Sequence, residues 1–187
     1  MKRANPKQAP LVLTVGHSTR TLDSFLRLLQ AYAVSRLIDV RTITRSRHNP
    51  QFNKGGFDKA LAEAKIRYQH LPGLGGLRHA RADSLNQAWR NASFRGFADY
   101  MQTAKFQTSL DRLLKMLEKD RVVLMCAEAV PWRCHRSLIA DALLVRGIPV
   151  EHIMSASRTH THVLTPWAKV KGTRITYPAD GQDGNKK

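Results

Sequence analysis

Short apolar runs alternate with stretches of helical periodicity from the start of the chain. Residues 11–15 form an apolar run, residues 22–32 place apolar side chains on one side of a helix, and residues 36–41 form a second short run. Such runs predict buried strands, and spacings of three and four predict an amphipathic helix. The β–α–β order favours parallel strands joined by a right-handed crossover.

The alternation continues to the C-terminal third. Helical patterns cover residues 57–64, 94–117 and 135–145, and strand patterns cover 66–71, 122–125, 149–154 and 174–177. We therefore predict an α/β fold: a single three-layer domain over residues 11–178, with a mainly parallel sheet of about five strands and helices on both faces. A flexible basic arm (1–10) and a disordered tail (179–187) are expected to flank it.

Charge indicates the kind of partner. The 187 residues include 31 Lys and Arg against 14 Asp and Glu, a formal net charge of +17. This excess favours an anionic ligand, such as a nucleotide or nucleic acid. Two cysteines make no disulfide framework, and neither a secretory signal nor an apolar stretch of membrane-spanning length is visible. We expect a cytoplasmic protein with reduced thiols and no membrane partner.

The segment 121–140 concentrates the reactive side chains of the chain. An apolar run ends at Met125 with Cys126 at the presumed strand end, and an amphipathic pattern begins near His135, which predicts strand, loop and helix. Ligands in α/β sheets bind at the carboxyl ends of strands, beside helix amino termini. The candidate catalytic and binding groups of this segment are Cys126, Glu128, Trp132, Arg133, Cys134, His135 and Arg136.

Either cysteine of the segment is a candidate nucleophile. Cations and a helix start lower the pKa of a thiol and favour the reactive thiolate, as expected for Cys134. Glu128 would act as acid or base, and His135 would orient the reacting groups. The alternative is that Cys126 is a small buried strand-end residue.

Two other chemistries have weaker support in this segment. The spacing from Cys126 to Arg133 is one residue too long for the phosphatase loop and lacks its glycines. Cys126, Cys134 and His135 could supply three zinc ligands, with His160 or His162 as a fourth, but adjacent residues rarely face one ion. We predict neither a metal nor another cofactor.

Polar residues also follow the first two predicted strands. His17 and Ser18 come after the first strand, and Asp39 and Arg41 end the second. In a parallel sheet these ends meet Cys126 and its neighbours at one edge, so we expect Asp39 to take part in catalysis and the others to bind substrate. Alternatively, Asp39 forms an ion pair with Arg41, and His17 is a core residue whose ring nitrogens are hydrogen-bonded within the protein.

A basic loop follows the second strand. Arg45 and Arg47 offer guanidinium groups and Asn49 a neutral donor, which suit phosphate, and Arg41, Arg133 and Arg136 would add to them. Trp132 is the tryptophan placed to stack on a base. The alternative for this loop is an ordinary solvated basic surface.

Ordered motifs along residues 11–170 resemble one family. They are TVGHS, DVR, SRHNPQFN, HLPGLGG, FADYM, LMCAE, CHRSLIA and VEHI. The chain resembles the proteins catalogued as domain of unknown function 488, which implies a compact bacterial or archaeal α/β domain and brings no settled activity. The family's recurrent polar positions correspond here to His17, Ser18, Asp39, Arg41, Arg47, Pro50, Cys126, Glu128, Cys134, His135 and Arg136. Thr44 departs from the proline that similar proteins often carry.

These observations favour an enzyme that acts on a phosphate-bearing substrate, a nucleotide or nucleic acid. It would be a thiol- or carboxylate-dependent hydrolase or transferase with its Cys, Glu, His and Arg side chains at the strand ends. The alternative is a non-catalytic module that binds nucleic acid or a nucleotide through the same basic edge.

Overall fold

The computed structural model of the protein describes residues 10–179. The predicted basic arm and tail lie outside this range, apart from residues 10 and 179. The strands are β1 (Val12–Gly16), β2 (Arg36–Asp39), β3 (Arg67–His70), β4 (Val122–Cys126), β5 (Val150–Ser155), β6 (Arg158–Thr161), β7 (Lys169–Lys171) and β8 (Arg174–Thr176). The helices are α1 (Leu22–Ala31), α2 (Phe57–Glu63), α3 (Ala92–Tyr100), α4 (Ala104–Leu117) and α5 (Arg136–Leu144).

Six strands form the main sheet in the order β3-β2-β4-β1-β5-β6. The first five are parallel to one another, and β6 is antiparallel to β5. The predicted α/β fold with a mainly parallel sheet is therefore confirmed. The parallel strands all end at one edge of the sheet, where the polar residues after β1, β2 and β4 come together.

The sixth strand was missed by the sequence pattern. Strand β6 is mostly exposed and consists of arginine, threonine and histidine, so it has no apolar run that would predict it. Its place depends on backbone pairing with β5 rather than on burial. The predicted edge strand near residue 174 does form, but it pairs with β7 in a separate two-stranded ribbon.

Alternate side chains of the strands pack against helices on opposite faces. Leu13, Val123 and Met125 belong to one core cluster together with buried residues of α1 and α2. Val12, Val122 and Leu124 belong to the other, together with residues of α3, α4 and α5. Because successive strand residues point to opposite faces, Thr14 and Cys126 lie on the α5 side. This face carries the candidate site.

Side-chain caps fix where three of the helices begin. Thr21 accepts a hydrogen bond from the backbone N–H of Ser24 at the start of α1, as its position before the apolar pattern predicts. Asn91 and Thr103 cap α3 and α4 in the same way. Between residues 10 and 179, none of the helices is long and apolar enough to cross a membrane.

Candidate functional site

The ends of β1, β2 and β4 form one polar edge. Gly16 lies opposite Cys126, and Asp39 lies opposite Met125, in the registers of the two strand pairs. The backbone N–H of His17 donates to the carbonyl of Cys126 at 2.9 Å. The residues after three different strands therefore lie side by side.

The loop after β4 packs directly on the end of β1. Gly16 has no side chain, and a Cβ there would overlap the carbonyl of Glu128. The N–H of Ser18 donates to the carbonyl of Ala127 at 2.9 Å. This close approach, which only glycine permits, turns the loop back so that Cys134 lies near Cys126.

A cavity of about 390 Å³ opens over this loop. Its lining comes from the loop after β2, the end of β4 and the start of α5, and from the loop before α3 and the start of α3 itself. The lining residues are Arg41, Thr42, Ile43, Gly76, Leu77, Ser93, Phe94, Cys126, Ala127, Glu128, Arg133, Cys134 and His135. Five of the predicted catalytic and binding residues of segment 121–140 thus share one cavity.

Cys134 is buried and closely surrounded by polar groups. The Nε–H of Arg136 donates to its Sγ at 3.3 Å, and Nδ1 of His135 lies 3.7 Å from the same sulfur. The Cys126 thiol donates a hydrogen bond to Cys134, which lowers the pKa of the Cys134 thiol well below its usual value, with further lowering by His135 and Arg136. These contacts favour a thiolate.

The burial of Arg136 also supports a thiolate at Cys134. Its side chain is 1% exposed. Its guanidinium donates to Sγ of Cys134, to Oγ1 of Thr14 at 3.2 Å and to the carbonyl of Glu128 at 2.5 Å. Among residues 10–179 it has no carboxylate partner. A guanidinium stays charged and a buried charge needs a counter-charge, so the Cys134 sulfur is the group that can supply it.

Cys126 is the second thiol of the pair. It is half-buried and free. The hydrogen bond that it donates to Cys134, together with burial, raises the pKa of the Cys126 thiol well above its usual value. Cys126 is therefore the protonated donor of the pair, and Cys134 is the nucleophile candidate.

Glu128 and His135 lie on either side of Cys134 in sequence. The Glu128 side chain is exposed and lines the cavity, and one of its oxygens accepts the N–H of Val130 at 3.2 Å. The His135 ring stands edge-on to Phe97. A Cβ at Gly76 would come within 2.5 Å of its Nδ1, so Gly76 leaves room for the ring.

Asp39, Arg41 and His17 form a second buried group beside the cavity. Asp39 Oδ2 accepts from Arg41 at 2.6 Å and from the hydroxyl of Tyr68 at 2.8 Å. Burial, followed by the nearby Asp39 carboxylate, raises the pKa of Tyr68. The His17 ring stacks on Phe52, and burial lowers its pKa. The ion-pair alternative for Asp39 is thus present, and the guanidinium of Arg41 is held by protein groups.

The remaining predicted binding residues divide into two sets. Arg133 is exposed and lines the cavity. Ser18, Arg45, Arg47, Asn49 and Trp132 lie outside its lining. The Trp132 side chain is 59% exposed and its ring centre lies 6.1 Å from that of His160. The loop after β2 therefore lines the cavity through Thr42 and Ile43, whereas the basic side chains of Arg45 and Arg47 lie outside the cavity.

Three side chains could hold a metal ion. One ligand atom each of Cys126, Cys134 and His135 lies within 4.8 Å of the others, a soft set that suits zinc. The adjacent Cys134 and His135 do face one another. His162 cannot complete the set, because both of its ring nitrogens bond to His152 and Asp141.

The sequence matches a family model over most of its length. Residues 21–143 match the model described as "Domain of unknown function DUF488". The chain belongs to this family. No curated protein and no solved structure matched it.

A buried polar chain of the DUF488 protein lies behind Arg136, and sequence reasoning missed it. Thr14, His152, His162 and Asp141 are each at most 9% exposed. They are hydrogen-bonded in that order across β1, β5, the residue after β6, and α5. The available signal was a polar residue within an apolar element, in LVLTVG, VEHI and SLIADALL.

Burial of His152 predicts acid sensitivity. Burial, then interaction with His162 and Arg136, lowers the pKa of His152 from 6.5 to about 3. The unfolded chain therefore binds this proton first, and stability is expected to fall as the pH drops from 6.5 towards 3, by up to roughly 1.4 kcal/mol per unit. Urea unfolding across this range measures it.

A matched pair of variants isolates the contribution of His152. His152→Gln should flatten the pH dependence, whereas His48→Gln, in an exposed loop, should leave it as in the wild type. Equal slopes in all three proteins would contradict the assignment.

Proposed function

We propose that this DUF488 protein is a thiolate-dependent hydrolase or transferase that acts on a phosphate-bearing substrate, a nucleotide or nucleic acid. Cys134 is the nucleophile, and Cys126 donates the hydrogen bond that holds it as a thiolate. The supporting observation is the buried Arg136, whose guanidinium contacts Cys134 and has no carboxylate partner among the described residues.

The shape and chemistry of the cavity support a nucleotide. Ile43 and Leu77 are 62% and 65% exposed, and with Phe94 they give the cavity an apolar rim on which a base can rest. Arg133 lines the cavity and is free to approach a phosphate from the protein surface. The apolar wall suits the base of a nucleotide, and the exposed guanidinium beside it suits the phosphate.

Exposed basic residues around the cavity support the nucleic-acid form of the proposal. Arg45, Arg47 and Lys54 follow the lining residues Thr42 and Ile43 in one loop, and Arg90 lies in the loop after Leu77. These residues lie outside the cavity, where they would meet flanking phosphates rather than the reacting group. The net charge of +17 favours the same approach.

The chemistry requires two proton transfers. The Cys134 thiolate attacks the electrophilic atom, a new bond to sulfur forms, and the leaving oxygen takes a proton from the Glu128 carboxyl group. Water then gives a proton to the Glu128 carboxylate, attacks the same atom and releases the thiolate. A free thiolate persists where thiols are kept reduced, which supports the cytoplasm as its location.

Site-resolved alkylation tests the nucleophile. With iodoacetamide at pH 7, Cys134 should react roughly tenfold faster than a cysteine in an unstructured peptide, and Cys126 more slowly, because their thiolate fractions differ. Peptide mass spectrometry resolves the two sites. Nucleoside monophosphates or a short single-stranded oligonucleotide, added first, should protect Cys134. Equal, slow labelling of both cysteines would overturn the proposal.

Turnover of a panel of nucleotides and oligonucleotides provides the second test. Cys134→Ser should abolish product formation, and Glu128→Gln should reduce it by roughly a hundredfold or more. Salt-dependent binding of arbitrary DNA or RNA that both variants retain, with no turnover by the wild type, would instead establish the non-catalytic binding module.

The cluster of Cys126, Cys134 and His135 favours a second candidate, a zinc-dependent protein. Elemental analysis of the native protein distinguishes the two. One equivalent of zinc, lost in Cys134→Ser, would replace the free-thiolate proposal.

A further inference from the structure

The contacts behind Arg136 form a continuous hydrogen-bonded chain. Thr14 Oγ1 accepts from Arg136 at 3.2 Å and bonds His152 Nδ1 at 2.7 Å. His152 Nε2 bonds His162 Nδ1 at 3.1 Å, and His162 Nε2 bonds Asp141 Oδ1 at 2.8 Å. The chain thus runs from the site to a carboxylate that is fully buried.

One order of donors satisfies every link of this chain. Arginine only donates, so Thr14 accepts from Arg136, and we assign the Thr14 O–H as the donor to His152 Nδ1. His152 then donates through Nε2 to His162, which donates through Nε2 to Asp141. A cation at one end of the chain is thus aligned with an anion at the other.

The far end of the chain is firmly held. Asp141 also accepts from the N–H of Thr165 at 3.0 Å, the Thr165 hydroxyl at 2.7 Å and the Tyr177 hydroxyl at 2.8 Å. The low pKa of His152, caused first by burial, agrees with a neutral ring. A fixed anchor and oriented links restrict where the Thr14 hydroxyl can point.

We infer that Thr14, His152, His162 and Asp141 are positioning residues that hold the Arg136 guanidinium against the Cys134 sulfur. The inference deepens the proposed function and rests on Cys134 being its thiolate. The chain does not carry protons to the sulfur, since its first member is an arginine that keeps its charge. It supplies orientation, which decides how strongly the guanidinium stabilises the thiolate.

Thr14 offers a matched pair of variants. Thr14→Val has nearly the same shape but removes the hydroxyl, whereas Thr14→Ser retains it. The readout is the pH profile of Cys134 alkylation by iodoacetamide. The titratable or charged groups that face Cys134 are Cys126 from β4, His135 and Arg136 from the start of α5, and His152 from β5; all four are unchanged in both variants.

The loss of the hydroxyl should raise the apparent pKa of Cys134 by roughly half to one unit, so that alkylation at pH 7 slows about three- to tenfold. Thr14→Ser should restore most of the wild-type profile. A folded Thr14→Val protein with the wild-type profile would overturn the inference and leave the proposed function standing. A wild-type Cys134 that titrates like a peptide thiol would overturn both.

Histidine tautomers in the wild-type protein provide a test that needs no variant. Nitrogen NMR should show His152 protonated at Nε2 and bare at Nδ1 near neutral pH. Protonation of His152 at Nδ1 would reverse the bond to Thr14, leave the Thr14 O–H free of the chain and overturn the inference, even if Thr14→Val does not fold.

Discussion

Replacing Arg136 by methionine is expected to slow alkylation of Cys134 at pH 7 by roughly tenfold or more, because it raises the pKa of the thiol. The variant removes the buried positive charge that contacts the sulfur while methionine fills much of the same volume. Once the guanidinium is gone, burial favours the neutral thiol. The alkylation rate from pH 5 to 10 measures the change.

Two further variants define the cause of this effect. Arg136→Lys keeps a positive charge but loses the fork that reaches Cys134, Thr14 and Glu128 together, so its profile should lie between those of the wild type and the methionine variant. Arg90→Met makes the same substitution at an exposed position and should leave Cys134 unaffected. An unchanged profile in Arg136→Met would refute the charge pairing.

Replacing Asp141 by alanine is expected to lower the free energy of unfolding by about 3–5 kcal/mol. The carboxylate is fully buried and accepts four hydrogen bonds, from His162, the Thr165 N–H, the Thr165 hydroxyl and Tyr177. Alanine leaves these donors buried without an acceptor. Urea unfolding at pH 7, monitored by circular dichroism, measures the loss.

The matched control for this effect is Asp111→Ala. Asp111 is an exposed helical aspartate on α4 that accepts one hydrogen bond from Gln107. Its replacement should change stability by less than about 0.5 kcal/mol. If Asp141→Ala were equally mild, the four contacts would not be the anchor described above.

Much of the fold is accessible from the hydrophobic pattern. The segment 121–140 predicts a strand, a loop and a helix, and the structure has β4 and α5 there. The meeting of the ends of β1, β2 and β4 follows from parallel strands alone. Strand β6 was not predictable in this way, since an exposed polar strand is defined by its pairing.

The hydrophobic pattern of the sequence could not predict the orientation of individual side chains. Arg136 was expected to hold a substrate anion, but its helix start turns it inward against Cys134. Part of the apolar rim also comes from a stretch with little hydrophobic pattern, because Leu77 lies in a long loop. Its neighbour Gly76 leaves room for the His135 ring. Contacts between distant segments decide both features.

The pairing of Arg136 with Cys134 has a consequence for any covalent intermediate. A sulfur joined to a substrate fragment is neutral, so the enclosed cation behind it loses its counter-ion at the moment the adduct forms. An unbalanced charge in the interior is costly. Under the proposed function, the covalent adduct therefore has a higher free energy than the free protein, and release of the Cys134 thiolate, which regenerates the ion pair, is favoured.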